Sequence, residues 1–350
     1  MKTYLAVLAA GLPVILFGAS GASLPKPIVC ESVGALKLNA GTYPREITFD
    51  SSSSDAMLQT VGAVTFGTNL VVGAKTFTLD FGGVTTLSGA LRYTYNGSGN
   101  AQTLKFGADA SLAGNVTVTG QGGAYTLDLA EGVCVDFLGD VTLTGANLNQ
   151  PLPVGSRVNY RGSVTCSAFQ DDGNGEPGAG HRGGEIHLYQ PLSCGTFFVR
   201  GFNVVCEAAN VLPSDKDIRW RYESQANCAI VDMNGFDQTV THLNCIGAFT
   251  SVNRNYITSA KPCTLTINDT FAEADPTKAQ VGVDGAVSVV HIGTQVQEFN
   301  SRDIDTTGEL TINSGKIKLS GSTAIYGVPK ITIGADGELV LAGTAAKPIP

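Results

Sequence analysis

The chain has 350 residues, of which 15% are charged and 43% hydrophobic, with 43 glycines and a formal net charge of −8; an average soluble protein carries roughly 25% charged residues and ~7% glycine. So little charge excludes a charged helical bundle or coiled coil, and so much apolar sequence excludes wholesale disorder. The acidic balance, with lysine and arginine scattered along the chain, leaves no basic footprint for a phosphate backbone and excludes nucleic acid as a partner.

Residues 1–23 have the outline of a secretory signal peptide. Lys2 precedes the apolar run from Tyr4 to Phe17, and the small residues Gly18 to Ser23 follow, so cleavage is expected after Ser20, Ala22 or Ser23. A membrane-spanning helix needs about 20 apolar residues. This run is shorter and contains Gly11 and Pro13, and no later segment is apolar enough to span. The expected mature chain is therefore exported and has no membrane span. The eight cysteines are an even number, which suits an oxidising compartment. They read equally as disulfide staples or as buried free thiols, and no C-x-x-C pair or zinc-like spacing appears among them.

From residue 24 to 145 the chain reads as successive short strands. Apolar residues alternate with Thr, Ser, Asn and Asp, as in Phe77-Thr-Leu-Asp-Phe81, Asn115-Val-Thr-Val-Thr119 and Asp140-Val-Thr-Leu-Thr144, and Gly or Asn closes nearly every run. That alternation and those breakers mark half-buried strands with tight turns. The style recurs: Phe77-Thr-Leu-Asp is echoed by Tyr125-Thr-Leu-Asp, 48 residues on, and Gly308-Glu-Leu by Gly337-Glu-Leu, 29 residues on. Recurrence at unequal intervals predicts an all-β parallel β-helix, a solenoid whose rungs differ in loop length. A β-sandwich is the alternative, because turn signals every 8–12 residues suit it too.

Residues 146–226 read as a loop-rich β segment, inserted in or continuous with the solenoid, with strands expected at Glu185-Ile-His-Leu-Tyr189 and Thr196-Phe-Phe-Val199. Its acidic loop holds Asp171, Asp172, Asn174 and Glu176, oxygen donors of the kind calcium takes. Counted from Asp172 the loop fails the EF-hand rule, with Pro177 at the glycine position and Gly183 where the bidentate glutamate belongs. An acidic solvated turn is the competing reading. His181 and His187, six apart, make a weak ligand pair. Trp220 between Arg219 and Arg221 reads either as a sugar-stacking patch or as a plug against the solenoid.

Residues 227–350 return to solenoid style. The segment Ile230-Val-Asp-Met-Asn-Gly-Phe-Asp-Gln-Thr-Val240, followed by His242-Leu-Asn and Thr264-Leu-Thr-Ile267, resembles the autotransporter-associated β-strand repeat family. So do the paired strands from Gly308 to Leu319 and from Lys330 to Leu341. The resemblance covers roughly residues 228–343. It implies a right-handed parallel β-helix at, or released from, a bacterial cell surface, and no catalytic residue; contact with glycans or surface proteins is expected through the loops of residues 146–226. Eight cysteines are many for such a passenger region, and no barrel-like segments follow, so either a fragment or a simply secreted protein is expected.

The functional expectation is a structural or adhesive secreted or cell-surface protein with no cofactor other than the calcium considered above. The alternative is a carbohydrate-active enzyme, a polysaccharide lyase or glycoside hydrolase, since Asp171-Asp172 with Gly180-His181-Arg182 resembles in outline the site of β-helix polysaccharide hydrolases. Glycoside cleavage needs two carboxyl groups about 5 to 9.5 Å apart. Adjacent aspartates on a strand point to opposite faces, which weakens that alternative.

Overall fold

The computed structural model describes residues 14–17, 28–31, 35–94, 102–120, 123–170, 183–221, 229–246, 255–269, 281–300 and 302–342. Among these residues there is no helix; the regular structure is all strand, and the strands pair in parallel with those of neighbouring turns. Stacked parallel coils of this kind are a β-solenoid. A sandwich of antiparallel sheets is excluded by the pairing. The chain forms two compact units, residues 1–172 and 173–350.

In the first unit, equivalent side chains of successive turns lie directly above one another. Leu36, Leu58, Leu79, Leu104 and Leu127 are in register, and none is more than 3% exposed. A second column runs Ile47, Leu70, Leu91, Val116, Val141, Val164. Burying such a side chain contributes about 1.5–3 kcal/mol, and the ladder satisfies the backbone without helices. The strand pattern predicted from alternation is what makes this possible: in Val116–Thr119 the valines are buried and the threonines face out. Aromatic rings thicken the core at one edge, with Phe81 and Phe106 stacked at 5.3 Å and Phe137 and Tyr160 at 5.2 Å.

One corner of this unit is made by Gly89, Gly114, Gly139 and Gly162. A Cβ on Gly114 would lie 2.3 Å from the Gly89 carbonyl oxygen, and one on Gly162 2.5 Å from Gly139, so the backbones touch there. Beside the glycines, side chains receive the next turn's amides. Asn69 Oδ1 accepts from the Ala90 N–H at 3.0 Å, Asn115 Oδ1 from Asp140 at 3.1 Å, and Asp140 Oδ1 from Ser163 at 2.8 Å. These partners are 21, 25 and 23 residues apart, which is the length of one turn. The echo between Phe77 and Tyr125 therefore spans two turns, with Thr78, Thr103 and Thr126 in one column. Val14–Phe17, inside the expected leader, is a strand paired with Ala35, Leu36, Lys37 and Leu38.

In the second unit Val204, Val231, Ile257, Val283, Ile304 and Ile325 form one column. Val240, Ile267, His291, Ile312 and Ile333 form another. The Asn-Gly of the repeat-like segment makes its turn: Asn234 and Gly235 have φ of 50° and 86°, a conformation open to few residues besides these two. The 29-residue echo is not the register, because Leu310 pairs with Ile331 and Gly337 with Gly315. Within the expected loop-rich stretch lie the strands Gly184–Leu188, Leu192–Val199, Phe202–Cys206 and Ile218–Arg221.

Cys30, Cys194, Cys206 and Cys263 are buried free thiols and Cys134 is a partly exposed one, while Cys166 and Cys245 are also buried. Burial pushes the Cys30 thiol up to about 11 and, as the leading cause, that of Cys194 up to about 12. Neither carries the thiolate that nucleophilic or redox chemistry needs near neutral pH.

Candidate functional site

The calcium candidates Asp171, Asp172, Asn174 and Glu176, together with His181, lie outside the described residues. Among the described residues no group of three or more His, Cys, Asp and Glu side chains is placed to hold a metal ion. Trp220 is fully buried, and its indole N–H donates to the Ala229 carbonyl at 3.1 Å. It is therefore the plug of the two readings, since a buried ring cannot stack on a sugar.

Among the described residues His187 joins no metal-ligand group. Its Nδ1 lies 2.7 Å from Glu207 Oε1 and its Nε2 3.3 Å from Glu185 Oε2. Glu207 Oε2 accepts from Asn234 Nδ2 at 3.2 Å, and Asn234 Oδ1 accepts from Lys261 Nζ at 3.1 Å. The result is a polar ladder crossing successive turns of the second unit, in which both carboxylates are engaged. Sequence reasoning found only Glu185 and His187. Glu207, Asn234 and Lys261 follow at separations of 20, 27 and 27 residues, so no fixed spacing announces them.

A second constellation, not foreseen from sequence, is Asp217, His242 and Asp269. His242 Nε2 stands 3.8 Å from Asp269 Oδ2 and 3.2 Å from the Val296 carbonyl oxygen. Arg219 Nη2 stands 3.3 Å from Asp217 Oδ2. Burial pushes the Asp269 carboxyl up to about 6; the nearby His242 pulls it down and Asp217 adds to the rise. A carboxyl titrating near 6 is suited to proton transfer, but Asp269 is only 2% exposed and out of reach of a substrate. Next to it, His291 is fully buried in an aliphatic column. Its Nδ1–H donates to the Ser314 carbonyl at 2.7 Å, and its Nε2 has no hydrogen-bond partner.

The feature that faces solvent in repeating order is on the first unit. Strands Leu91–Thr94, Val116–Thr119, Val141–Thr144 and Val164–Gln170 stack in register. Their outward positions are Arg92, Thr94, Thr117, Thr119, Thr142, Thr144 and Thr165, with Thr94, Thr119 and Thr144 in one exposed row and the half-buried Thr117 and Thr142 and the exposed Thr165 in the other. Rows of this kind step about 4.8 Å between strands and roughly 6.6 Å between alternate residues. Below Arg92 the face bears hydroxyls and no charge. The neighbouring faces are mixed, with Asp80, Lys105 and Asp128 on one, and Asp136, Arg157 and Asn159 on the other. Two concavities nearby, one lined by Tyr93, Gln102, Val118 and Tyr125 and the other by Val72, Phe77, Leu91 and Tyr93, hold about 10 Å³ each, room for one water.

Comparison with known proteins found no match: no family model, no curated protein and no solved structure resembles the chain closely enough to count.

Proposed function

We propose that this is a secreted or cell-surface β-solenoid with an adhesive role, and that its contact surface is the threonine face of the first unit, directed at a neutral polysaccharide. The observation that carries the proposal is the uncharged hydroxyl array of Thr94, Thr117, Thr119, Thr142, Thr144 and Thr165 on a rigid ladder. Hydroxyls held at fixed intervals can both donate to and accept from the hydroxyls of a repeating sugar chain, and a rigid array loses little side-chain freedom on binding. Surface location rests on the leader and on the repeat-like segment from Ile230 to Val240. The alternative, catalysis, gains nothing from the carboxylates described: Glu207 and Glu185 are held by His187, and Asp217 and Asp269 are buried.

The test is co-sedimentation of the purified protein with insoluble neutral polysaccharides. The double variant Thr119→Val and Thr144→Val keeps strand propensity and volume while removing two hydroxyls worth about 0.5–1.5 kcal/mol each, so binding should weaken by about tenfold. Asp171→Ala should leave it unchanged. Binding indifferent to the valine pair, or no binding to any neutral polysaccharide, would refute the assignment.

A further inference from the structure

The Ile331–Leu341 strand ends the ladder of the second unit. Among the described residues it pairs on one side only, with the Leu310–Ser320 strand. Among the described residues nothing lies over the apolar core there. Leu310, Ile312, Ile317 and Leu319 are at most 4% exposed, but the residues above them in register lose that cover, with Ile333 at 49% and Leu341 at 57%. A free parallel edge over an uncovered core invites further pairing.

The sequence of this strand reads nearly the same in both directions. Taken about Asp336, Ile331 faces Leu341, Thr332 faces Val340, Ile333 faces Leu339, Gly334 faces Glu338, and Ala335 faces Gly337. The strand also bends at its midpoint, where the register with the neighbouring strand shifts between Ile312 and Ser314. A two-fold axis through Asp336 would therefore lay each arm on the opposite arm of a second copy, antiparallel, with the bends coinciding.

The backbone agrees with that pairing. The Lys330 carbonyl accepts from the Leu310 N–H, and the Ala342 N–H donates to the Leu319 carbonyl, so even-numbered residues in both arms turn their polar groups toward the neighbouring strand. By alternation, the N–H and C=O groups of Ile331, Ile333, Leu339 and Leu341 point to the free side. The two-fold axis pairs odd residues with odd residues, and Ile331 with Leu341 and Ile333 with Leu339 become hydrogen-bonded pairs. Directly opposed residues in an antiparallel pair project to the same face, so all four apolar side chains of each copy meet over the open core.

We propose that the open end of the second unit is a self-complementary interface, and that two copies of this chain associate there about a two-fold axis through Asp336. The strand is about 36 Å long and the core about 10 Å deep, so each copy buries roughly 360 Å². That is under half the ~800 Å² per partner of a stable complex, and the association is therefore weak and concentration-dependent.

Sedimentation equilibrium of the full chain from about 1 to 100 µM is the test. A monomer–dimer equilibrium is expected. Ile333→Lys and Leu341→Lys, at exposed positions that leave the fold intact by circular dichroism, should weaken it by about tenfold or more through burial of an unpaired charge. Asp336→Asn should tighten it by removing two like charges from the axis, and Asp336→Cys should give a disulfide-linked dimer on oxidation that the unsubstituted chain does not. A monomer at every concentration, masses growing beyond the dimer, or a dimer indifferent to Ile333→Lys would each overturn the proposal.

Discussion

His291 occupies a position where the turns before and after it have Ile267 and Ile312, and its environment holds it neutral. Burial, the leading cause, pushes its imidazole below the usual value of 6.5, the bond to the Ser314 carbonyl opposes this, and His242 adds to the lowering. The folded state therefore binds fewer protons than the unfolded chain, so this contribution to stability is intact above pH 6.5 and is lost as the pH falls through the depressed value. Asp269 has the opposite sense: its carboxyl, raised from 3.8 to about 6, favours the fold below pH 3.8 and loses that contribution as the pH rises through 6. Between those limits the two slopes partly cancel. His291→Leu, which completes the aliphatic column, removes one of them. Its stability relative to the parent, measured by urea unfolding, should grow as the pH falls from 8 to 5, by up to about 1.4 kcal/mol per pH unit below the unfolded pKa. A difference constant across that range would show that His291 is not held neutral. Nothing in the sequence marks His291, His242 or Asp269 as neighbours, because they meet only once the turn lengths are known.

At the scale of the element, the strand and its corner were legible to different degrees. Alternation with threonine located most strands, since a half-buried surface needs period two, and the buried positions follow it in Val141–Thr144 and Ala124–Leu129. Turn length was hidden. Side-chain partners on successive turns are as little as 20 and as much as 27 residues apart, and such variation leaves only every second echo visible, as with Phe77 and Tyr125. The polar ladder from His187 to Lys261 was missed for the same reason. Corner glycines were visible as turn residues, but their two physical roles were not distinguished. Gly114 touches the turn below, whereas Gly132 has φ of 73° and nothing within 4 Å of an added Cβ. Gly132→Ala should therefore cost only backbone strain, roughly 1 kcal/mol. Gly114→Ala must push two backbones apart and should cost at least about 3 kcal/mol. Thermal unfolding of the two variants measures the difference; equal losses would mean that the corner does not depend on close backbone contact.

For the molecule as a whole, the apolar run near the N-terminus has two incompatible uses. As a leader it is removed after Ser20, Ala22 or Ser23; as a strand, Val14–Phe17 covers the edge of Ala35–Tyr43 by pairing with its first four residues. Leu36 and Leu38 are fully buried and in register with Leu58 and Thr60 on their other side, so the Ala35–Tyr43 strand keeps one partner if the run is cut away. Export would then be coupled to opening an edge. The chain recovered outside an expressing cell is expected to begin at Gly21, Ser23 or Leu24, read by intact mass. It should also unfold at lower denaturant concentration than an uncleaved chain made without export, because four paired residues are gone from the ladder. An exported chain that still carries residues 1–20 would refute the leader and leave Val14–Phe17 as a permanent part of the solenoid. Equal stability of the two forms would show that this strand adds nothing to the first unit.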